Sequence, residues 1–109
     1  MNHLQHLLLK LSEECNEVGQ MAAKCMQFGL LEVREDLLEN NKMRLHAELD
    51  DLNAIITMLN ASYNFDYTPN PKAISKKINK VEKYLIRSVD LDMVDMNVPE
   101  NQWKESNND

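Results

Sequence analysis

The chain reads as an all-α protein, and three observations carry that reading. Apolar residues are 43% of the sequence and recur at spacings of three and four through long stretches. Glycine occurs only twice and proline three times. Leu, Glu, Lys, Met and Asn dominate, a composition that favours helix over sheet. No substantial strand is expected.

Each element is justified by local pattern. From Leu4 to about Gln27, the residues Leu4, Leu8, Leu11, Cys15, Val18, Ala22 and Cys25 alternate spacings of four and three, which predicts a first long helix. Phe28-Gly29 ends it, because glycine tolerates the positive φ of a helix terminus. Residues 30–41, LLEVREDLLENN, are expected to form a short helix through Leu30, Val33, Leu37 and Leu38, with Asn40 or Asn41 capping the next helix. That second long helix is predicted from about Lys42 to Ser62, with Leu45, Leu49, Leu52, Ile56 and Leu59 on its apolar face. Tyr63 to Asn70 reads as a loop. Asn70-Pro71 then opens a third helix whose apolar row is Ile74, Ile78, Val81, Leu85 and Val89.

At 109 residues the chain is expected to be one domain over 1–98, followed by a polar, disordered tail over 99–109. Two long antiparallel helices and a third would pack into a bundle. Three helices in so short a chain leave apolar surface to cover, so a homo-oligomer, tetramer or dimer, is expected.

Composition also excludes classes of function. The formal charge is −6 and no basic stripe is present, which argues against a nucleic-acid polymer as ligand. A nucleotide remains compatible, because divalent metal can stand between carboxylates and phosphates. The run Leu7-Leu8-Leu9 is too short to span a membrane and is followed by Lys10 and Glu13-Glu14, so no membrane partner and a cytoplasmic location are expected. Cys15 and Cys25 lie about 280° apart around one helix at ~100° per residue and cannot pair there, so both are expected as reduced thiols.

The chemistry concentrates in two acidic clusters, Glu13-Glu14-Cys15-Asn16-Glu17 and Glu48-Leu49-Asp50-Asp51. Residues three apart on a helix share a side, so Glu14 with Glu17 and Glu48 with Asp51 form two matched pairs on consecutive helices. Glu48 falls inside the apolar sector of its helix, Asp51 at its edge, and Asp50 points away. A lone acidic run is ordinarily a solvated face. Carboxylates converging inside an apolar seam instead call for a cation. A hard ion such as Mg²⁺, with Mn²⁺ as a possible substitute, suits an all-oxygen donor set. No Glu-x-x-His pair suggests a di-iron bundle, and no His-Glu-x-x-His or Cys-x-x-Cys pattern suggests zinc.

The pattern EExxE followed by ExxD, with the surrounding words LLLKLSEECNEVGQMAAKCMQFG and NKMRLHAELDDLNAIITML, resembles the MazG-like all-α nucleoside triphosphate pyrophosphohydrolases, in particular their short bacterial and phage members. The resemblance covers roughly residues 4 to 90. It implies a MazG-like helical bundle completed by oligomerisation and a hydrolase that converts a (d)NTP to (d)NMP and pyrophosphate, clearing or adjusting a nucleotide pool. It places Glu14, Glu17, Glu48 and Asp51 as metal ligands and catalytic residues, with Glu13 as a catalytic group that either supports the ligands from behind or handles a proton. Thirty residues separate Glu17 from Glu48, longer than the family's usual spacer. Lys10, Lys24, Lys76 and Lys80 are candidate phosphate contacts. His6, with His3, lies where the family builds part of its base pocket. Two other readings compete: a non-catalytic helical interaction module, and hydrolysis of a phosphoribosyl-nucleotide on the same site.

Overall fold

A computed structural model describes residues 1–106. It contains three α-helices, α1 (His3–Phe28), α2 (Asn41–Tyr63) and α3 (Pro71–Asp90), and a single 3₁₀ turn over Glu100–Gln102. Among the described residues there is no strand, only one isolated antiparallel bridge between Val33 and Asn40. The expected all-α class is therefore the observed one. The chain divides into two compact units, Met1–Tyr67 with the segment that starts at Glu100, and Thr68–Pro99.

Asparagine starts all three helices. Asn2 accepts from Gln5 N at 2.9 Å while Gln5 Oε1 accepts from Asn2 N at 3.0 Å, a reciprocal capping box. Asn40 accepts from Met43 N at 2.9 Å, and Asn70 accepts from Ala73 N at 3.1 Å with Pro71 in the first turn. Gly29 ends α1 with φ 93°, which only glycine adopts without strain, and Asn64 ends α2 in the left-handed conformation. Past α2, the Asn60 side chain brackets the Tyr67 backbone, donating to its carbonyl at 2.9 Å and accepting from its N–H at 3.0 Å.

In the first unit α1 and α2 pack antiparallel. The register is read from three contacts: His3 with Tyr63, Glu14 with Asp51, and Cys25 with Asn41. Steps of eleven residues along α1 are met by steps of twelve and ten along α2, as two straight helices running opposite ways require. The seam row on α1 is Leu7, Leu11, Glu14, Val18, Met21 and Cys25. Facing it are Asn41, Leu45, Glu48, Leu52, Ile55 or Ile56, and Leu59. Leu7, Met21, Leu59 and Asn41 are fully buried and the others half-buried.

This row differs from the predicted one. Leu4, Leu8, Cys15 and Ala22 on α1, and Leu49 on α2, were expected at the interface and are exposed. The apolar arc of α1, widened by Leu7-Leu8-Leu9, is broader than one partner helix can cover, and α2 takes the edge that carries Leu7, Glu14 and Met21.

Residues 30–40 correct the sequence expectation as well, because they form an irregular loop rather than a short helix. The carbonyls a helix would use internally are taken by α2: Lys42 N donates to Leu30 O at 2.8 Å and Asn41 N to Glu32 O at 3.1 Å. The buried Asn41 amide donates to Gly29 O at 2.9 Å and to Glu32 Oε2 at 2.8 Å. Leu38, part of the predicted periodicity, is fully exposed.

In the second unit α3 presents the predicted row, but no residue of the helix is buried, and Ile74, Ile78 and Val81 are each about half exposed. Lys42 Nζ pairs with Glu105 at 3.1 Å, and Lys104 N donates to Glu100 O at 2.8 Å, within the segment expected as a disordered tail. The last three residues of that expected tail lie outside the described residues.

Asn41→Ala is expected to cost about 1–3 kcal/mol, because it strands the Gly29 carbonyl and the Glu32 carboxylate without their donor. Leu38→Ala, at a fully exposed position, should stay within about 0.5 kcal/mol. Urea-unfolding midpoints of the two variants against the parent provide the check.

Candidate metal centre

Helical spacing brings three acids together. Glu14 takes the place of an apolar residue in the α1 row, Glu48 does the same in the α2 row, and Asp51 comes one turn later at the exposed edge. Each offers a carboxylate oxygen, and the three oxygens lie within 4.8 Å of one another. This is the only such group of three or more metal-ligating side chains among the described residues.

No cation of the protein neutralises them. The ion pairs among the described residues are Lys10–Glu13, Arg34–Asp36, Lys42–Glu105 and Lys104–Glu100, and none includes Glu14, Glu48 or Asp51. Loss of water at the seam pushes the Glu14 carboxyl above its ordinary value of 4.5, and the charges of Asp51, Glu48, Glu17 and Glu13 push it further the same way.

The donor set suits a hard divalent cation. All three donors are carboxylate oxygens, and an octahedral ion about 2.1 Å from its ligands places them about 3 to 4 Å apart, so a spread within 4.8 Å closes with small side-chain rotations. Three protein ligands would leave positions for water and for a ligand's own oxygens.

The other expected site residues are distributed differently. Glu17 is exposed and does not belong to the converging group, although its charge reaches Glu14. Glu13 is engaged by Lys10 at 3.0 Å, a pair with both side chains well exposed. His6 is exposed, and His3 Nδ1 hydrogen-bonds Tyr63 Oη at 2.6 Å with the rings tilted at 47°. Lys76 and Lys80 lie on α3 in the second unit, both exposed.

Lys24 lines a cleft of about 310 Å³ with Phe28, Glu32, Arg34, Asn41 and Arg44. Sequence reasoning missed Arg44, although the signal was present: Arg44 precedes Asp51 by seven residues, the spacing by which Lys24 succeeds Glu17. The roles of Glu32 and Asn41 had no such signal, because they arise from a loop read as a helix.

In comparisons with protein-family models, curated proteins and solved structures, nothing matches this chain. Among the described residues no helix is long and apolar enough to cross a membrane.

An acid whose folded-state pKa is raised contributes stability that is complete below its unfolded value and is lost as pH rises through the folded value. Without metal, Glu14→Gln should therefore melt close to the parent near about pH 4 and above it near about pH 7.5. Magnesium should reverse the order at the higher pH, raising the parent's melting temperature and not the variant's. Thermal melts in EDTA and in magnesium at the two pH values test both statements.

Proposed function

We propose that this chain is a magnesium-dependent nucleoside triphosphate pyrophosphohydrolase of the MazG-like type, producing a nucleoside monophosphate and pyrophosphate. One observation carries the reading: Glu14 and Glu48 occupy facing positions in an apolar helix seam, with Asp51 beside them and no protein cation paired with any of the three. Carboxylates in that setting repel one another and lose hydration, so the arrangement is costly to the protein alone. It becomes favourable when a cation is the third party.

Glu14, Glu48 and Asp51 would hold the ion, one oxygen each. Bound there, magnesium would supply a water made nucleophilic near neutral pH and would screen the triphosphate. The chain's own contribution is positional. The antiparallel register sets Glu14 against Asp51, and both glutamates are half-buried in the seam. Glu13, outside the ligand group and paired with Lys10, is assigned the proton-handling role in this reading. Such a reaction belongs in the cytoplasm, where the nucleotide pool is.

The reading includes a homo-oligomer. On α3, Ile74, Ile78 and Val81 are half exposed, which is an unusual amount of aligned apolar surface for a free helix. The same helix carries Lys72, Lys76, Lys77, Lys80, Lys83 and Arg87 against Glu82 and Asp90, while the chain as a whole is at −6. A basic amphipathic helix and an acidic helix pair are complementary surfaces for two copies of one chain.

Pyrophosphate release from a panel of NTPs and dNTPs is expected with magnesium and not with EDTA, and Glu48→Gln is expected to bring it to background while the helices stay folded by circular dichroism. Release that persists in Glu48→Gln, or an absence of release from every nucleotide, would overturn the proposal.

A further inference from the structure

The cleft at the far end of the helix pair is a second polar site. It is enclosed by the last turns of α1, the loop after Gly29 and the first turn of α2, and it is lined by Lys24, Phe28, Glu32, Arg34, Asn41 and Arg44. Much of its hydrogen-bonding capacity is already engaged. Arg34 is held by Asp36 through Nη2 at 2.9 Å, and the Asn41 amide is spent on Gly29 and Glu32. The first-turn N–H groups of α2 are occupied too: Asn41 by Glu32 O, Lys42 by Leu30 O, Met43 by the Asn40 side chain and Arg44 by Asn40 O.

Two charges are left over. Lys24 and Arg44 enter no ion pair among the described residues, and Arg44 is oriented by a long contact from Nη1 to Asn41 Oδ1 at 3.4 Å. Beside them Phe28 is 61% exposed, a large apolar ring that no packing explains. Glu32 adds one acceptor, the kind that meets an amino or ring N–H group.

Position along the helices links the cleft to the acids. Arg44 precedes Asp51 by seven residues on α2 and so lies on that acid's face, about 10 Å along the axis, while Lys24 lies seven residues after Glu17, the exposed acid beside the cluster. Phe28 is one turn further on. Acids, then cations, then an aromatic ring therefore succeed one another along the helix pair. A nucleotide carries the matching order of metal-bound phosphate, further phosphate oxygen and planar base.

We propose that this cleft is the nucleoside monophosphate subsite, with Lys24 and Arg44 on the phosphate nearest the sugar and Phe28 stacked on the base. The assignment rests on the nucleotide reading above and changes its geometry. Base recognition moves to the end of the pair opposite His3, whose ring is occupied by Tyr63.

The test is binding of AMP, GMP, CMP and UMP to the full chain in EDTA, monitored by isothermal titration and by NMR shifts of the Phe28 and Arg44 signals. At least one monophosphate should bind without metal. Lys24→Gln, Arg44→Gln and Phe28→Ala should each weaken it by about tenfold or more, as loss of a charge-assisted hydrogen bond or a stacking face does. Leu8→Ala, at an exposed position on α1 away from the cleft, should bind it unchanged. Circular dichroism melts confirm that each variant is folded, and Arg44→Lys gives a milder change at the same position.

Binding that survives all three cleft variants, or that is lost equally in Leu8→Ala, would overturn the proposal. No binding of any monophosphate in EDTA would overturn it as well, and magnesium-dependent pyrophosphate release would then leave the hydrolase reading standing. Cleft binding with no pyrophosphate release from any triphosphate would remove the hydrolase reading and keep the subsite.

Discussion

Repulsion between two carboxylates is the constraint around which the helix pair is organised. Glu14 and Glu48 stand where the apolar rows of α1 and α2 meet, and Asp51 adds a third charge within the same 4.8 Å. The pair tolerates this because it is anchored on both sides. Leu7 and Leu59 are buried toward the His3–Tyr63 end, and Met21 and Asn41 are buried toward the other. The acids therefore lie at the midpoint of a seam whose two ends are closed by buried side chains. A cluster of three carboxylates, two of them half-buried, is costly as a structural device and offers the all-oxygen donor set that a hard cation takes.

The thinness of the core gives this more weight. Only Leu7, Met21 and Leu59 are fully buried apolar residues among those described, and two of the half-buried seam positions are spent on glutamates. A core of that size leaves little surplus to offset an uncompensated charge. A bound ion would neutralise the charge and a second chain would add apolar burial, and the exposed row on α3 is a surface suited to the second. The two contributions are additive rather than exclusive.

Much of this was legible in the sequence, for identifiable reasons. Helix existence and bounds are set by asparagine caps, Gly29 and Pro71, which act locally and need no tertiary information. The faces were harder. On α1 the rows beginning at Leu4 and at Leu7 both satisfy the three-and-four rule, and choosing between them requires the partner helix. Glu14 itself was obscured by this ambiguity, since the predicted row placed Cys15 at the interface and left Glu14 beside it. On α2 the position of Glu48 inside the apolar sector was visible at once, because only Leu49 competed for the same turn. The loop after Gly29 was not legible, since its fold depends on the Asn41 side chain and on carbonyls borrowed by α2.

Net charge is a weak guide to such a molecule, and its local distribution explains why. A chain at −6 should repel a triphosphate, yet the acids that would meet the phosphates are the ones most in need of a counter-ion, and the unpaired cation Arg44 lies two turns along the face of Asp51, with Lys24 two turns beyond Glu17. An anionic ligand arriving with its metal would therefore reduce the repulsion inside the seam while meeting positive charge further on. The free ligand without metal would feel only the second effect. Metal and nucleotide should accordingly bind with positive coupling at the acids and independently at the cleft, because the Glu14–Glu48–Asp51 repulsion is relieved by the ion alone.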